Sequence, residues 1–109
     1  MTEKLCLITM NPEQIIRFKE NRQLQVNTTY LKLLDKEREL KNVENKLWLN
    51  TDFKAQGLTN DTMRRAFVSN ETKKLRFEVD QLRYELKQHE SDLIIINDLL
   101  ALRMKEGES

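Results

Sequence analysis

The feature that most constrains the fold of this chain is a heptad pattern of apolar residues in its second half. Within residues 68–103, apolar side chains and one histidine follow one another at alternating steps of four and three. This spacing is typical of a long helix whose apolar stripe is covered by another helix. The heptad stripe consists of Leu75, Val79, Leu82, Leu86, His89, Leu93, Ile96 and Leu100.

Turn-forming residues are scarce. With two glycines and one proline among 109 residues, we expect an all-α fold rather than an all-β or α/β fold. The predicted architecture is a helical hairpin with a long C-terminal coiled-coil helix, in one domain. Its segments are an arm or short strand over 1–11, a first helix over 12–50, a connection over 51–60 and the long helix over 61–106.

The first helix has a clear start and an ambiguous middle. Asn11 can cap its N-terminus, Pro12 suits the first helical position, and Gln14 can bond back to the cap. Residues 27–29, Asn-Thr-Thr, have poor helix propensity, so a break near 27 and one continuous helix are both open.

An apolar stripe also follows the second part of this helix. Its members are Val26, Leu33, Leu40 and Leu47, with Tyr30, Leu34 and Val43 expected to widen it. Glu37 and Lys41 are spaced for a supporting ion pair on the helix surface.

Two helix-capping signals, one that ends a helix and one that begins the next, lie close together and predict a sharp reversal in the connection. Gly57 fits a helix C-terminal cap, and Thr59 fits the N-cap of the long helix. The two helices are therefore expected to lie antiparallel. At the other end of the chain, Leu5–Ile8 is either an edge strand or an arm over helix surface, with Cys6 as a small buried hydrophobe.

Charges beside the heptad stripe favour a parallel homodimer. In such a dimer Glu71 would face Arg76 of the second copy, and Glu78 would face Arg83, although Glu85 would meet Glu90 unfavourably. The alternative is a solvated charged face. His89, the polar residue of the stripe, is interpreted as a register device or a point of strain near the edge of the stripe rather than as a metal ligand.

Beyond His89 the long helix becomes apolar nearly all round. Residues 93–96, 99, 100 and 102 are leucine or isoleucine. Burial on several sides is the favoured interpretation. If these side chains are bare, they form the first candidate for a binding surface.

Composition bounds the function. Nineteen basic and eighteen acidic residues give a net charge of +1, which provides no long-range field for nucleic acid or an anionic membrane. The longest apolar run, residues 93–96, is too short to span a bilayer. The single cysteine is compatible with a reducing compartment, so a soluble cytoplasmic protein is expected.

No catalytic or metal-binding pattern is recognisable, so we expect a protein that is not an enzyme and carries no cofactor. One local basic concentration, beside Phe67 and Phe77, has two interpretations: a contact patch for a partner or nucleic acid, or ordinary surface charge. Its members are Arg64, Arg65, Lys73, Lys74 and Arg76.

Residues 48–68, WLNTDFKAQGLTNDTMRRAFV, followed by a helix rich in lysine, glutamate and leucine, resemble small helical proteins from early gene regions of bacteriophages of Gram-positive bacteria. The resemblance implies an infected bacterial cytoplasm and an accessory protein acting on a host or phage factor. It supplies no catalytic or binding residue.

The functional hypothesis is a non-enzymatic protein-binding module, a phage-encoded modulator or inhibitor of a host or phage protein that also forms a homodimer. The alternatives are a nucleic-acid-binding accessory protein that uses the basic patch, and a structural or assembly coiled coil.

Overall fold

The computed structural model describes residues 10–108, which form three helices and their connections, without a strand in that range. The helices are α1, Pro12–Asn50; α2, Asp61–Glu71; and α3, Lys73–Glu108. The predicted all-α class is confirmed. The arm predicted around Leu5–Ile8, with Cys6, lies outside the described residues.

The start of α1 is fixed by reciprocal side-chain bonds. Asn11 N donates to Gln14 Oε1 at 3.0 Å, and Gln14 N donates to Asn11 Oδ1 at 2.9 Å. Both peptide N–H groups would otherwise lack a partner at a helix start. Helix α1 then continues without a break through residues 27–29, where Thr29 is buried, because tertiary cover outweighs low propensity.

The connection contains a closed turn at residues 53–58. Leu58 N donates to Phe53 O at 2.8 Å, and Gly57 N donates to Lys54 O at 3.1 Å. Gly57 has φ 74°, the left-handed conformation that this capping pattern requires. The N-cap of α2 is Asn60 and not Thr59, because Asn60 Oδ1 accepts from Met63 N at 2.8 Å.

The helix expected over 61–106 is divided at Thr72, and α3 extends to Glu108. Thr72 is buried and has φ −103° and ψ 10°, outside the helical region. Its hydroxyl donates to Val68 O at 2.8 Å. A threonine bonded back to the preceding turn bends a helix, which accounts for the division.

The chain divides into two compact units, and α1 and α3 contribute to both. Among the described residues, unit 1 comprises residues 10–30 and 84–108. In its described part, Ile15 of α1 and Ile96 of α3 form a fully buried core, with Phe18 and Leu99 packed against it. Further along α1, Arg22 lies 3.6 Å from Asp92, so the two helices are antiparallel in this unit.

Unit 2 comprises Leu31–Arg83. Its buried apolar residues are Leu33, Phe53, Val68 and Val79. Ion pairs join α1 to α3 here, from Glu37 with Arg83 at 3.7 Å to Glu44 with Arg76 at 3.1 Å. Rising numbers along α1 meet falling numbers along α3, so this pair is also antiparallel.

The heptad stripe finds its cover within the chain. Ile96 is buried against Ile15 in unit 1, and Val79 is buried beside α1 in unit 2. The remaining stripe positions are half-buried: Leu75, Leu82, Leu86, His89, Leu93 and Leu100. A second copy is therefore not needed to cover the stripe, and the homodimer stays a prediction.

Candidate protein-binding surface

Three of the four charges that favoured a homodimer, those of Arg76, Glu78 and Arg83, form ion pairs with α1 instead. Lys36 Nζ lies 2.9 Å from Glu78 Oε2, and Arg83 and Arg76 pair with glutamates of α1. The hydrogen bond that Lys36 donates to Glu78, followed by that to Glu39, raises the pKa of Lys36 above that of a free lysine. Glu37 pairs with Arg83 and does not form the predicted surface pair with Lys41.

A polar contact lies at the helix interface of unit 1. The Arg22 side chain is buried, with Nη1 2.7 Å from Gln25 Oε1 and 3.2 Å from His89 Nδ1. Because a guanidinium has only donors, Arg22 is the donor in this contact. The guanidinium also lies 5.3 Å from the Phe18 ring centroid. His89 therefore contacts α1, and within unit 1 it helps to pair the two helices.

The predicted basic patch is not a uniform surface. Arg64 Nε donates to Leu58 O at 3.1 Å, and Arg76 pairs with Glu44. Both arginines therefore bond to other residues of unit 2. Arg65, Lys73 and Lys74 are exposed.

The C-terminal part of α3 is only partly covered. Leu99 and Leu100 pack against the core of unit 1, whereas Ile94, Leu102 and Met104 are exposed. The expectation of burial on several sides is wrong for Ile94, Ile95 and Leu102, because a two-helix unit covers one side of each helix.

A second periodic surface runs along the solvent side of α1 in unit 2. Its residues succeed one another at steps of three and four, which places them on one side of the helix. We call it the α1 outer face, and it consists of Leu31, Leu34, Arg38, Lys41, Asn45, Trp48 and the adjacent Leu49. Leu31 is 61% exposed and Leu49 is 84% exposed. Tyr30 and Leu34 are exposed too, and so do not widen the inner stripe as predicted.

Aromatic contacts position Trp48 at one end of this face. The Trp48 and Phe53 ring centroids are 5.3 Å apart, and Phe53 meets Phe67 edge to face at 6.2 Å. The Arg64 guanidinium lies 5.6 Å from the centroid of Phe53. Trp48 is thus held on one side by a packed cluster and remains partly exposed on the other.

In unit 2, most carboxylates of α1 form ion pairs, whereas most of its cations do not. Three of its carboxylates, those of Glu37, Glu39 and Glu44, lie in ion pairs with Arg83, Lys36 and Arg76. Within the described residues, these cations of α1 form no ion pair or hydrogen bond: Lys32, Arg38, Lys41 and Lys46. Asp35 is the exposed carboxylate beside them. The outward charge of this segment is therefore basic.

The described part of the chain also contains a surface groove. The groove lies in unit 1, has a volume of about 500 Å³ and is lined by Ile16, Lys19, Glu20, Gln23 and Leu100. Across residues 10–108, no group of three or more His, Cys, Asp and Glu side chains is placed to hold a metal ion.

Comparison of the chain with models of known protein families, with characterised proteins and with solved structures gives no match. None of the described helices is long and apolar enough to cross a membrane.

The sequence pattern pointed to the heptad stripe and the basic patch and missed the α1 outer face. The signal was present as leucines at 31 and 34, then Trp48 and Leu49, with basic residues between them at the same helical period. The sequence places Leu34 in the predicted inner stripe. Spacing alone does not show which of two neighbouring stripes on a helix is covered.

Proposed function

We propose that this protein is a non-enzymatic protein-binding module whose contact surface is the α1 outer face. The observation that supports the proposal is the exposure of Leu31, Trp48 and Leu49 on one side of a helix whose other side is already covered. Exposed apolar side chains that recur along one face are typical of an interaction surface.

The side chains on this face are suited to provide binding energy. Full burial of a leucine contributes about 1.5–3 kcal/mol relative to exposure. Tryptophan and arginine are enriched among residues that dominate protein interfaces. Trp48 is already held by Phe53, so it loses little side-chain freedom on contact with a partner.

The resemblance of residues 48–68 to small phage proteins supports a role as a phage-encoded modulator or inhibitor of a bacterial or phage protein. A bacterial lysate is therefore the appropriate source of a partner.

Comparative capture tests the proposal. Immobilised wild-type protein is compared with Leu31→Asp/Leu49→Asp and with a control variant, Leu24→Asp/Tyr84→Asp, which changes exposed residues outside the α1 outer face and outside the C-terminal apolar part of α3. We expect a specific protein to be retained by the wild type and the control and lost from the first variant. Retention by all three, or by none, contradicts the proposal.

Nucleic-acid binding is the second candidate, favoured by the exposure of Lys73 and Lys74 one helical turn before the exposed Phe77. Aromatic stacking with adjacent cations is a means of holding single strands. A gel-shift series at low and moderate salt tests this candidate. Binding that weakens steeply with salt and is lost in Lys73→Glu/Lys74→Glu would support it.

A further inference from the structure

From the charge and spacing of the α1 outer face, we infer the kind of partner that docks on it: a helical protein segment with acidic residues at its centre and apolar residues near both ends. This inference rests on the proposed function, and it assigns a chemical class to the partner.

The spacing of the apolar residues sets the length of the partner segment. Leu31 and Leu34 lie at one end of the face, and Trp48 and Leu49 lie at the other. Trp48 lies seventeen positions after Leu31, which corresponds to about 26 Å along a helix. A partner helix of roughly 18 residues lying alongside α1 reaches both apolar ends.

The charge at the middle of the face determines which sign of charge the partner carries at its centre. Arg38 and Lys41 are exposed between the two apolar ends and have no ion-pair partner among the described residues. The nearby glutamates are engaged elsewhere: Glu37 with Arg83 and Glu39 with Lys36. Asp35 reduces this positive charge but does not balance it. Carboxylates on a partner complement this centre and fix the register of docking.

Other classes of partner fit the face less well. A helix that lies on a membrane has a continuous apolar face with cations at its edges, whereas here the cations interrupt the apolar residues. A nucleic-acid surface needs cations along its length, and the ends of this face are leucine and tryptophan.

Two synthetic peptides test the inference directly, because Trp48 is the single tryptophan of the chain. Each peptide forms a helix of about 20 residues, lacks tryptophan and carries leucines near both ends of one face. One peptide has glutamates at the centre of that face, and the other has lysines there. We expect the glutamate peptide to shift the Trp48 emission to shorter wavelength in a saturable titration, and the lysine peptide to leave it unchanged.

Variants connect the binding to the named residues. Arg38→Glu/Lys41→Glu should raise the Kd for the glutamate peptide at least about tenfold. Lys73→Glu/Lys74→Glu makes the same change of charge on exposed residues of α3, and its Kd should stay within about twofold of the wild type. Circular dichroism confirms that both variants retain their helices.

Four results would overturn the inference: no binding of the glutamate peptide at millimolar concentration, equal binding of the lysine peptide, equal loss in both variants, or tighter binding of a single-stranded oligonucleotide or of anionic phospholipid vesicles that is lost in Arg38→Glu/Lys41→Glu. Failure of the inference is distinguishable from failure of the proposed function. A protein that is captured from lysate, depends on Leu31 and Leu49 and is still retained by Arg38→Glu/Lys41→Glu would leave the proposed function intact and refute the acidic partner.

Discussion

Arg22 illustrates how burial decides the importance of a charge. It is 9% exposed, contacts His89 and Asp92 across the helix interface of unit 1, and lies over the ring of Phe18 on its own helix. Arg17, less than two turns earlier on α1, forms an ion pair with Glu13 in which both side chains are largely exposed. Solvent screening makes exposed pairs weak, whereas removal of a buried partner leaves polar groups without a bond.

We therefore predict that Arg22→Ala lowers the free energy of unfolding by about 1–3 kcal/mol, while Arg17→Ala changes it by less than about 0.5 kcal/mol. Urea denaturation followed by circular dichroism measures both. Equal effects of the two substitutions would show that the burial of Arg22 does not determine its contribution to the free energy of unfolding.

Gly57 is the residue whose backbone conformation carries a cost for other amino acids. At φ 74°, a side chain is disfavoured, although a Cβ there would meet no atom within 4 Å. The penalty is therefore one of backbone conformation and not of contact.

Gly57→Ala is expected to lower the free energy of unfolding by about 1 kcal/mol, and Gly57→Asn by less, because asparagine tolerates the left-handed region. Denaturant titration of the three proteins gives the order. An alanine variant as stable as the wild type would mean that the turn changes conformation at little cost.

At the scale of elements, two sides of α3 carry the same type of residue but differ in exposure to solvent. Ile96 is 0% exposed and Ile94 is 63% exposed, although they are the same residue type two positions apart. Sequence composition does not distinguish them; the direction of each side chain relative to α1 does.

Ile96→Ala should lower the free energy of unfolding by about 2–4 kcal/mol, since it removes buried methyl groups and leaves a cavity. Ile94→Ala should stay within about 0.5 kcal/mol of the wild type. Thermal or urea unfolding provides the comparison. If both cost the same, the packing of α3 on α1 in unit 1 differs from that described.

At the scale of the whole molecule, the question is where the heptad stripe finds its cover. In each unit the stripe lies against α1, and the flanking charges of α3 in unit 2 pair with α1 as well. Folding of each unit thus buries apolar surface within one chain.

It follows that the midpoint of thermal unfolding should not depend on protein concentration between about 1 and 100 µM, because association contributes to stability only by mass action. A midpoint that rises with concentration would instead support the predicted homodimer.

The sequence by itself determined the helical class, the α1 start at Asn11 and Gln14 and the cap at Gly57, because these depend on local hydrogen bonds and on periodicity along one chain. It also identified which residues of α3 need cover. Only the tertiary structure decided that α1 provides this cover, that Thr72 divides the predicted long helix, and that Leu34 faces solvent. A heptad pattern states that a stripe must be buried but not by which helix, since any apolar helix of suitable register removes the same surface from water.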